Sequence, residues 1–242
     1  MDTQLISKVL QKVRRYVFPL LSIDEITGTK ILSRNDLLHI GSVYGGWVVP
    51  QNLLNAESIC YCVGCGEDIT FDLGLIEKFD CHVYGFDPTP RAIKYVKKHT
   101  AQNEQYHFFD IGLWDQEEKL RFYAPKNQDH VSHSALNLQQ TEEFFEAKVD
   151  RLANIMQKNG HKHIDLLKLD IEGAEYKVVN SIIEDKLDIK ILCIEYDEAN
   201  NALNPDYKNR IKQSVASLVD FGYSIVYTQA NQPGNFTFIK DA

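Results

Sequence analysis

The chain has 242 residues, 44% of them hydrophobic and 25% charged, and a formal net charge of −8. That length supplies one full α/β core, and the acidic balance argues against a nucleic-acid partner, which calls for a basic surface. No run approaches the ~20 apolar residues of a membrane helix, and "MDTQLISKVLQKVRRYVFPLL" starts acidic and carries Lys and Arg inside its apolar run, unlike a secretory signal. The expectation is a cytoplasmic protein without stable membrane insertion.

Residues 1–50 read as a helical N-terminal cap. Leu5, Val9, Val13 and Val17 recur at near-helical spacing, with Lys8, Lys12 and Arg15 elsewhere, a pattern that packs on its own domain or on a homodimer mate. Residues 51–242 form the main domain. Within it, short apolar runs alternate with amphipathic segments, which predicts a mostly parallel sheet with helices on both faces.

"SICYCVG" (58–64) is the first strand of that sheet, "ITFDLGLIEKF" (69–79) a helix with Ile69, Leu73 and Ile76 on one face, and "CHVYGFD" (81–87) the second strand. Thr89 caps the next helix, with Pro90 at its first position. "QYHFFDIGLWD" gives the third strand, "KLRFYAP" an inserted strand, and "KNQDHVSHSALNLQQTEE" a polar connection. "VDRLANIMQKNG" reads as a helix with a glycine stop, "HIDLLKLDIEGAE" as strand four, "YKVVNSIIED" as a helix and "IKILCIEYDE" as strand five. Asn204-Pro205 opens a long helix, "DYKNRIKQSVASLVDFG". The chain closes on "YSIVYTQ", the turn-rich "ANQPGN" and "FTFIK", a hairpin whose strands are antiparallel. Seven strands, mostly parallel and ending in such a hairpin, are the Rossmann-like architecture of class I S-adenosylmethionine-dependent methyltransferases, whereas a nicotinamide-binding sheet continues parallel.

Five cysteines are present. Cys60, Cys62, Cys65 and Cys81 cluster in sequence, but no matching pair of C-x-x-C units follows, so thiols are expected rather than zinc ligands or disulfides.

The turn "VGCGEDI" has Gly64 and Gly66, while Ile69 stands where the dinucleotide fingerprint has its third glycine. Such a turn brings backbone N–H groups and a helix start to a ligand. Glu67 and Asp68 beside it would repel a pyrophosphate and suit a cationic sulfonium and ammonium. Asp87, ending strand two, can accept hydrogen bonds from ribose hydroxyls, and Asp110 ends strand three, where methyltransferases of this class often hold the adenine amino group.

"KLDIEGAE" (168–175), "YGGWVVP" (44–50), "VGCGEDITFD" (63–72) and "FDPTP" (86–90) together resemble the FkbM-type methyltransferase family, over about Tyr44 to Asp197. The resemblance implies methyl transfer from S-adenosylmethionine to an oxygen, commonly a hydroxyl of a sugar or polyketide. The expected cofactor contacts are Tyr44, Gly64, Cys65, Gly66, Glu67, Asp68, Asp87, Pro88, Asp110, Ile111, Gly112 and Asp170.

Proton removal from the acceptor has two candidate routes. Asp170 and Glu195, at neighbouring strand ends, can act there or bind Mg2+ with Asp197 as a third ligand. His133 and His130 of "DHVSHSALN" offer an imidazole base from the long connection. Lys168 falls on the same strand face as Asp170; Glu172 and Glu175 follow. The predicted function is an O-methyltransferase of a carbohydrate, a sugar nucleotide or surface-glycan precursor. The alternatives are a polyketide-like small-molecule acceptor, a nicotinamide oxidoreductase and a non-catalytic cofactor-binding module.

Overall fold

The computed structural model describes residues 30–127, 129–199, 202–229 and 232–240. The amphipathic run from Leu5 to Val17 lies outside the described residues. What is described of residues 30–50 is a small antiparallel pair, Leu37–Ile40 (β1) and Trp47–Pro50 (β2), joined through a tip at Ser42–Gly46.

The main domain follows the alternation of the sequence. Ile59–Val63 (β3) leads to the helix Thr70–Phe79 (α1), His82–Phe86 (β4), the helix Pro90–Thr100 (α2) and Tyr106–Phe109 (β5). Three strands outside the main sheet come next: Gly112–Trp114 (β6), Glu118–Tyr123 (β7) and Phe144–Arg151 (β8). The chain returns through the helix Leu152–Asn159 (α3), Ile164–Leu169 (β9), the helix Glu175–Glu184 (α4) and Ile189–Glu195 (β10). It ends with the helix Tyr207–Asp220 (α5), Tyr223–Gln229 (β11) and Gln232–Lys240 (β12).

Seven strands form the sheet, in the order β11-β12-β10-β9-β3-β4-β5. The pairs from β10 to β5 are parallel, and β12 runs antiparallel to both β10 and β11. The closing hairpin therefore folds back, inserting its second strand between β10 and the first. This puts the start of β12 beside the carboxyl end of β10, with Glu195 opposite Asn235.

Alternation along the strands sorts the core into two layers. Tyr61, Val63, Leu167, Leu169, Leu192 and Ile194 face α3, α4 and α5. Cys60, Cys62, Leu166, Ile191 and Cys193 face α1, α2 and the β1–β2 pair, whose Ile40, Trp47 and Val49 are buried. All five cysteines are free thiols within this second layer, and burial pushes the thiols of Cys62 and Cys65 well above the ordinary value.

Four local expectations change. Pro90 does open α2, but Thr89 makes no side-chain cap; its hydroxyl and N–H are both turned to Asp87. The third apolar run is two strands, because the chain turns at the exposed Asp110 and sends Gly112–Trp114 into the small sheet, parallel to β8. Residues 144–151 form a strand rather than loop and helix start; the alternating exposure of Phe144, Glu146 and Lys148 has the two-residue period of a strand with one wet face. In α1 the core-facing residues are Phe71, Asp72, Leu75 and Ile76, with Leu73 only half-buried.

Candidate functional site

The carboxyl ends of β3, β4, β9 and β10 meet at one rim. At β3 the chain turns through Gly64 and Gly66, with φ of +83° and +54°. A side chain at Gly64 would overlap the Asp170 carbonyl oxygen, so only glycine lets the turn lie against the end of β9. Above Gly66 the space is open. Asp87 locks this turn to the end of β4: one carboxylate oxygen accepts from Gly66 N–H at 2.9 Å, the other from Thr89 N–H at 2.8 Å. Burial raises the Asp87 carboxyl above the usual range despite these donors.

Lys168 holds the turn from below. Its ammonium donates to the Gly64 carbonyl at 2.6 Å and pairs with Asp170 Oδ2 at 3.0 Å. Burial opposes its charge, but Asp170 and Asp72 outweigh that and raise it above the ordinary lysine value. Asp72, buried in the first turn of α1, accepts from Tyr106 O–H at 2.7 Å. The Tyr106 hydroxyl passes where Gly85 has no side chain and also lies 3.6 Å from Cys65 Sγ.

After Asp170 the chain makes a tight left-handed turn, with φ of +54° at Glu172 and +102° at Gly173. Glu175 sits wholly buried beneath it; its Oε1 accepts from Ile171 N–H at 3.1 Å and Gly173 N–H at 3.0 Å, while Oε2 has no partner. Asp197, in the short turn after β10, accepts from Glu172 N–H at 2.8 Å. Asp170, Glu172 and Asp197 bring ligand oxygens within 4.8 Å of one another. Glu195 stands on the adjacent strand end, hydrogen-bonded to the Asn235 side chain.

So many carboxyl groups in one partly dry place cannot all ionise at their ordinary values. Burial, and then the Asp170 charge, raises Glu172 to about 7 and Glu195 to about 8. Burial raises Glu175 to about 8. Asp197 is pushed well above the carboxylate range, by burial first and then by Glu172 and Glu175.

Residues 45–224 match the model of the methyltransferase FkbM domain. The chain belongs to the FkbM methyltransferase family. Among curated proteins it is similar to "Probable methyltransferase-like protein 24" of Homo sapiens, 29% identical over 142 residues, 58% of this chain and 32% of that protein. The protein of the same name in Rattus norvegicus is 30% identical over 129 residues, 53% of this chain and 29% of the relative. The chain thus spans about a third of the length of these relatives. Similar solved structures include the Methanococcus jannaschii fibrillarin pre-rRNA processing protein, with a TM-score of 0.48 and 14% identity over 78% of this chain and 68% of that one. An rRNA methylase of Streptococcus thermophilus gives 0.45 and 13%, over 79% and 91%.

The class I methyltransferase fold of this FkbM domain implies S-adenosylmethionine, and the residues at the rim fit it. The open space over Gly66 has room for a ligand against bare backbone, and the Asp87 carboxylate has lone pairs that could accept from ribose hydroxyls. The mouth is anionic, as a sulfonium and an ammonium require. Three hard oxygen donors at Asp170, Glu172 and Asp197 also suit Mg2+ in kind, although Lys168 already claims one oxygen of Asp170.

The expected site residues divide by place. Gly64, Gly66, Asp87 and Asp170 come together at the rim. Cys65 is buried under the turn. Glu67 and Asp68, beside it, are engaged by protein: Glu67 pairs with Arg91 at 2.7 Å, and Asp68 accepts from the Ser42 hydroxyl at 2.6 Å and from Thr70 N–H. Pro88 packs near Gly112, and Asp110 is an exposed partner of Lys97 at 3.8 Å, with Ile111 half-buried beside it. Tyr44 is 92% exposed on the β1–β2 tip. Its phenol is raised first by the protein crowding one side and then by Asp170, Glu172, Glu195 and Asp197.

The two histidines lie on the connection between β7 and β8. His133 is bonded through Nδ1 to the Val131 carbonyl at 2.7 Å and lies edge-on to Phe145. His130 is exposed, and its carbonyl accepts from Arg91. Their neighbours do the docking: Ser134 donates to the Glu172 carbonyl at 2.6 Å, and Ser132 bonds the Glu172 side chain. Leu136 and Leu138 cover Gly173. Sequence reasoning missed Ser132, Ser134 and Asn235, which carry no motif. The roles of Lys168 and Glu172 it could have found in "KLDIEGAE".

Proposed function

We propose that this chain transfers a methyl group from S-adenosylmethionine to a hydroxyl oxygen of a carbohydrate, with Glu195 as the base. The observation that carries the reading is the contact of the Gly64 turn with Asp170, which sets the cofactor's expected place directly against the paired acids on β9 and β10. The bound cofactor supplies a methyl carbon activated by positive sulfur. The chain's own residues must align the acceptor oxygen with it and exclude water. Gly64, Gly66 and Asp87 bind and orient. Lys168 fixes Asp170, and Ser134, Leu136 and Leu138 pack on the turn at Glu172 and Gly173. Glu195, raised toward neutral pH by burial and by Asp170, takes the hydroxyl proton as the oxygen attacks.

The carbohydrate acceptor rests on the family resemblance, which ties such domains to hydroxyls of sugars and polyketides. The histidine route is the weaker one, since His133 is turned to Phe145. A nicotinamide cofactor is disfavoured by the antiparallel β12 and by Ile69, a core side chain.

The test is calorimetric titration with S-adenosylhomocysteine and with NAD, each with and without Mg2+, followed by transfer of labelled methyl to sugars and location of the new O-methyl group by NMR. Binding of the homocysteine product and an O-methyl sugar support the reading. Selective NAD binding, or methylation at nitrogen or carbon, overturns it; a requirement for Mg2+ in transfer moves proton removal from Glu195 alone to the Asp170, Glu172 and Asp197 group.

A further inference from the structure

Three neighbouring strands of the main sheet run in the order β9-β3-β4, and the Gly64 turn stands at the end of the middle one. The connection between β7 and β8 is fastened on both sides of that turn. On the β9 side, the Ser134 hydroxyl donates to the Glu172 carbonyl at 2.6 Å, and Ser132 bonds the Glu172 side chain. On the β4 side, Arg91, in the first turn of α2, donates through Nη1 to the His130 carbonyl at 3.3 Å. The same guanidinium grips the turn itself: Nη2 and Nε donate to the two carboxylate oxygens of Glu67 at 2.7 and 3.3 Å. Glu67 directly follows Gly66.

Residues 130–134 thus run from the β4 side of the rim to the β9 side, with the end of β3 between their anchors. Adjacent strands lie about 4.8 Å apart, so the two outer strand ends are about 10 Å apart. Four residue steps reach at most about 14 Å, enough for the crossing with little to spare. Val131, Ser132 and His133 are half-buried rather than thrown out into solvent. No atom stands within 4 Å of where a Gly66 side chain would begin. The two fastenings are unlike. Ser134 is buried and held twice more, by paired backbone bonds with Tyr123 of β7. Arg91 and Glu67 are 45% and 37% exposed, and an exposed ion pair opens readily. One end is built as a hinge and the other as a latch.

We propose that residues 130–134 form a strap that is the outer wall of the S-adenosylmethionine site, and that Arg91 is the positioning residue that latches it over the bound cofactor. This rests on the S-adenosylmethionine reading above and adds a part to that site. Gly64, Gly66 and Asp87 hold the ligand from the strand ends only; the strap closes the other side and excludes water. The cofactor enters and its product leaves when the contact between Arg91 and His130 opens, while Ser134 stays in place.

The test uses the full chain and S-adenosylhomocysteine, read by amide hydrogen exchange and by stopped-flow dissociation. In the wild type, the ligand is expected to slow exchange at residues 130–134 about tenfold or more. Arg91→Ala is expected to lose that protection and to release the ligand about tenfold faster. Its melting temperature should stay within about 2 °C of the wild type, because an exposed ion pair adds little to stability. S-adenosylhomocysteine that binds the wild type without slowing exchange at 130–134 overturns the strap, whatever the variant does, and leaves the cofactor reading standing. An Arg91→Ala variant that keeps the protection and the wild-type release rate overturns the latch. Failure of the wild type to bind S-adenosylhomocysteine overturns the cofactor reading itself, and the strap with it.

Discussion

Lys168 and Asp170, two residues apart on β9, form an ion pair at 3.0 Å, and the same ammonium donates to the Gly64 carbonyl. One buried cation thus ties the Gly64 turn to the acid beside it. Its charge also answers Asp72 beneath the turn.

Removing that cation leaves two carboxylates uncompensated. Lys168→Met is expected to lower stability by about 2–3 kcal/mol, less than a fully buried pair because the Asp170 side chain stays partly exposed. Adding Asp170→Asn to it should recover part of the loss, since the unpaired charge is then gone. Urea unfolding of wild type, both single variants and the double variant measures this. A double variant as unstable as the sum of the singles would mean that the lysine acts on Gly64 alone.

The base assignment makes a pH prediction with a definite sign. Glu195 works only when deprotonated, and burial with the Asp170 charge places it at about 8. Turnover should therefore rise with pH and level off above that value. Glu195→Gln should cost about a hundredfold or more in kcat and keep S-adenosylhomocysteine binding, whereas His133→Ala should cost only a few-fold. The reverse ranking, with a plateau already at pH 6.5–7 set by an imidazole, would move the base to the connection between β7 and β8.

Much of this site was legible in the sequence because its residues sit at strand ends, where period-two alternation and glycine turns leave a signature. Asp87, Asp170 and Glu195 could be placed from that pattern alone, and the closing hairpin separated two cofactor classes. The order of the last two strands was not legible: a hairpin fixes that they pair, and only packing decides that β12 lies inside β11, beside β10. That choice is what brings Asn235 to Glu195. Nor was the small sheet legible in full, since Phe144–Arg151 is half exposed and its alternation blends into the polar connection. The direction of the two histidines was not legible, because a loop's sequence carries none; His133 is bonded through Nδ1 to the Val131 carbonyl.

The two glycines of the turn should respond differently. Alanine at Gly64 would collide with the Asp170 carbonyl and sit at a φ of +83°, so the variant is expected to lose several kcal/mol or fail to fold. At Gly66 the added methyl meets open space, and the positive φ alone should cost about 1–2 kcal/mol. Gly66→Ala should therefore fold, yet bind S-adenosylhomocysteine at least about tenfold more weakly, because its methyl would project into the space proposed for the ligand. Melting temperature and calorimetry together read both effects. A Gly66→Ala variant with unaltered affinity would place the cofactor elsewhere.

Glu175 supplies a prediction about stability alone. Its folded-state carboxyl is raised from 4.5 to about 8 by burial. Between those values the folded state holds a proton that the unfolded chain has released, so stability is full below about pH 4.5 and falls as pH climbs through 8. Glutamine keeps an oxygen for the N–H groups of Ile171 and Gly173 and removes the titration. Wild type should lose on the order of 2 kcal/mol more than Glu175→Gln between pH 5.5 and 8.5. The contribution of Glu195 is common to both proteins and drops out of the difference, whereas the rise that the Glu175 charge imposes on Asp197 is removed with it and counts as part of the Glu175 effect. Urea unfolding at the two pH values measures it; parallel losses would mean that Glu175 is ionised in the folded protein and that its unpartnered oxygen is satisfied by a bound cation.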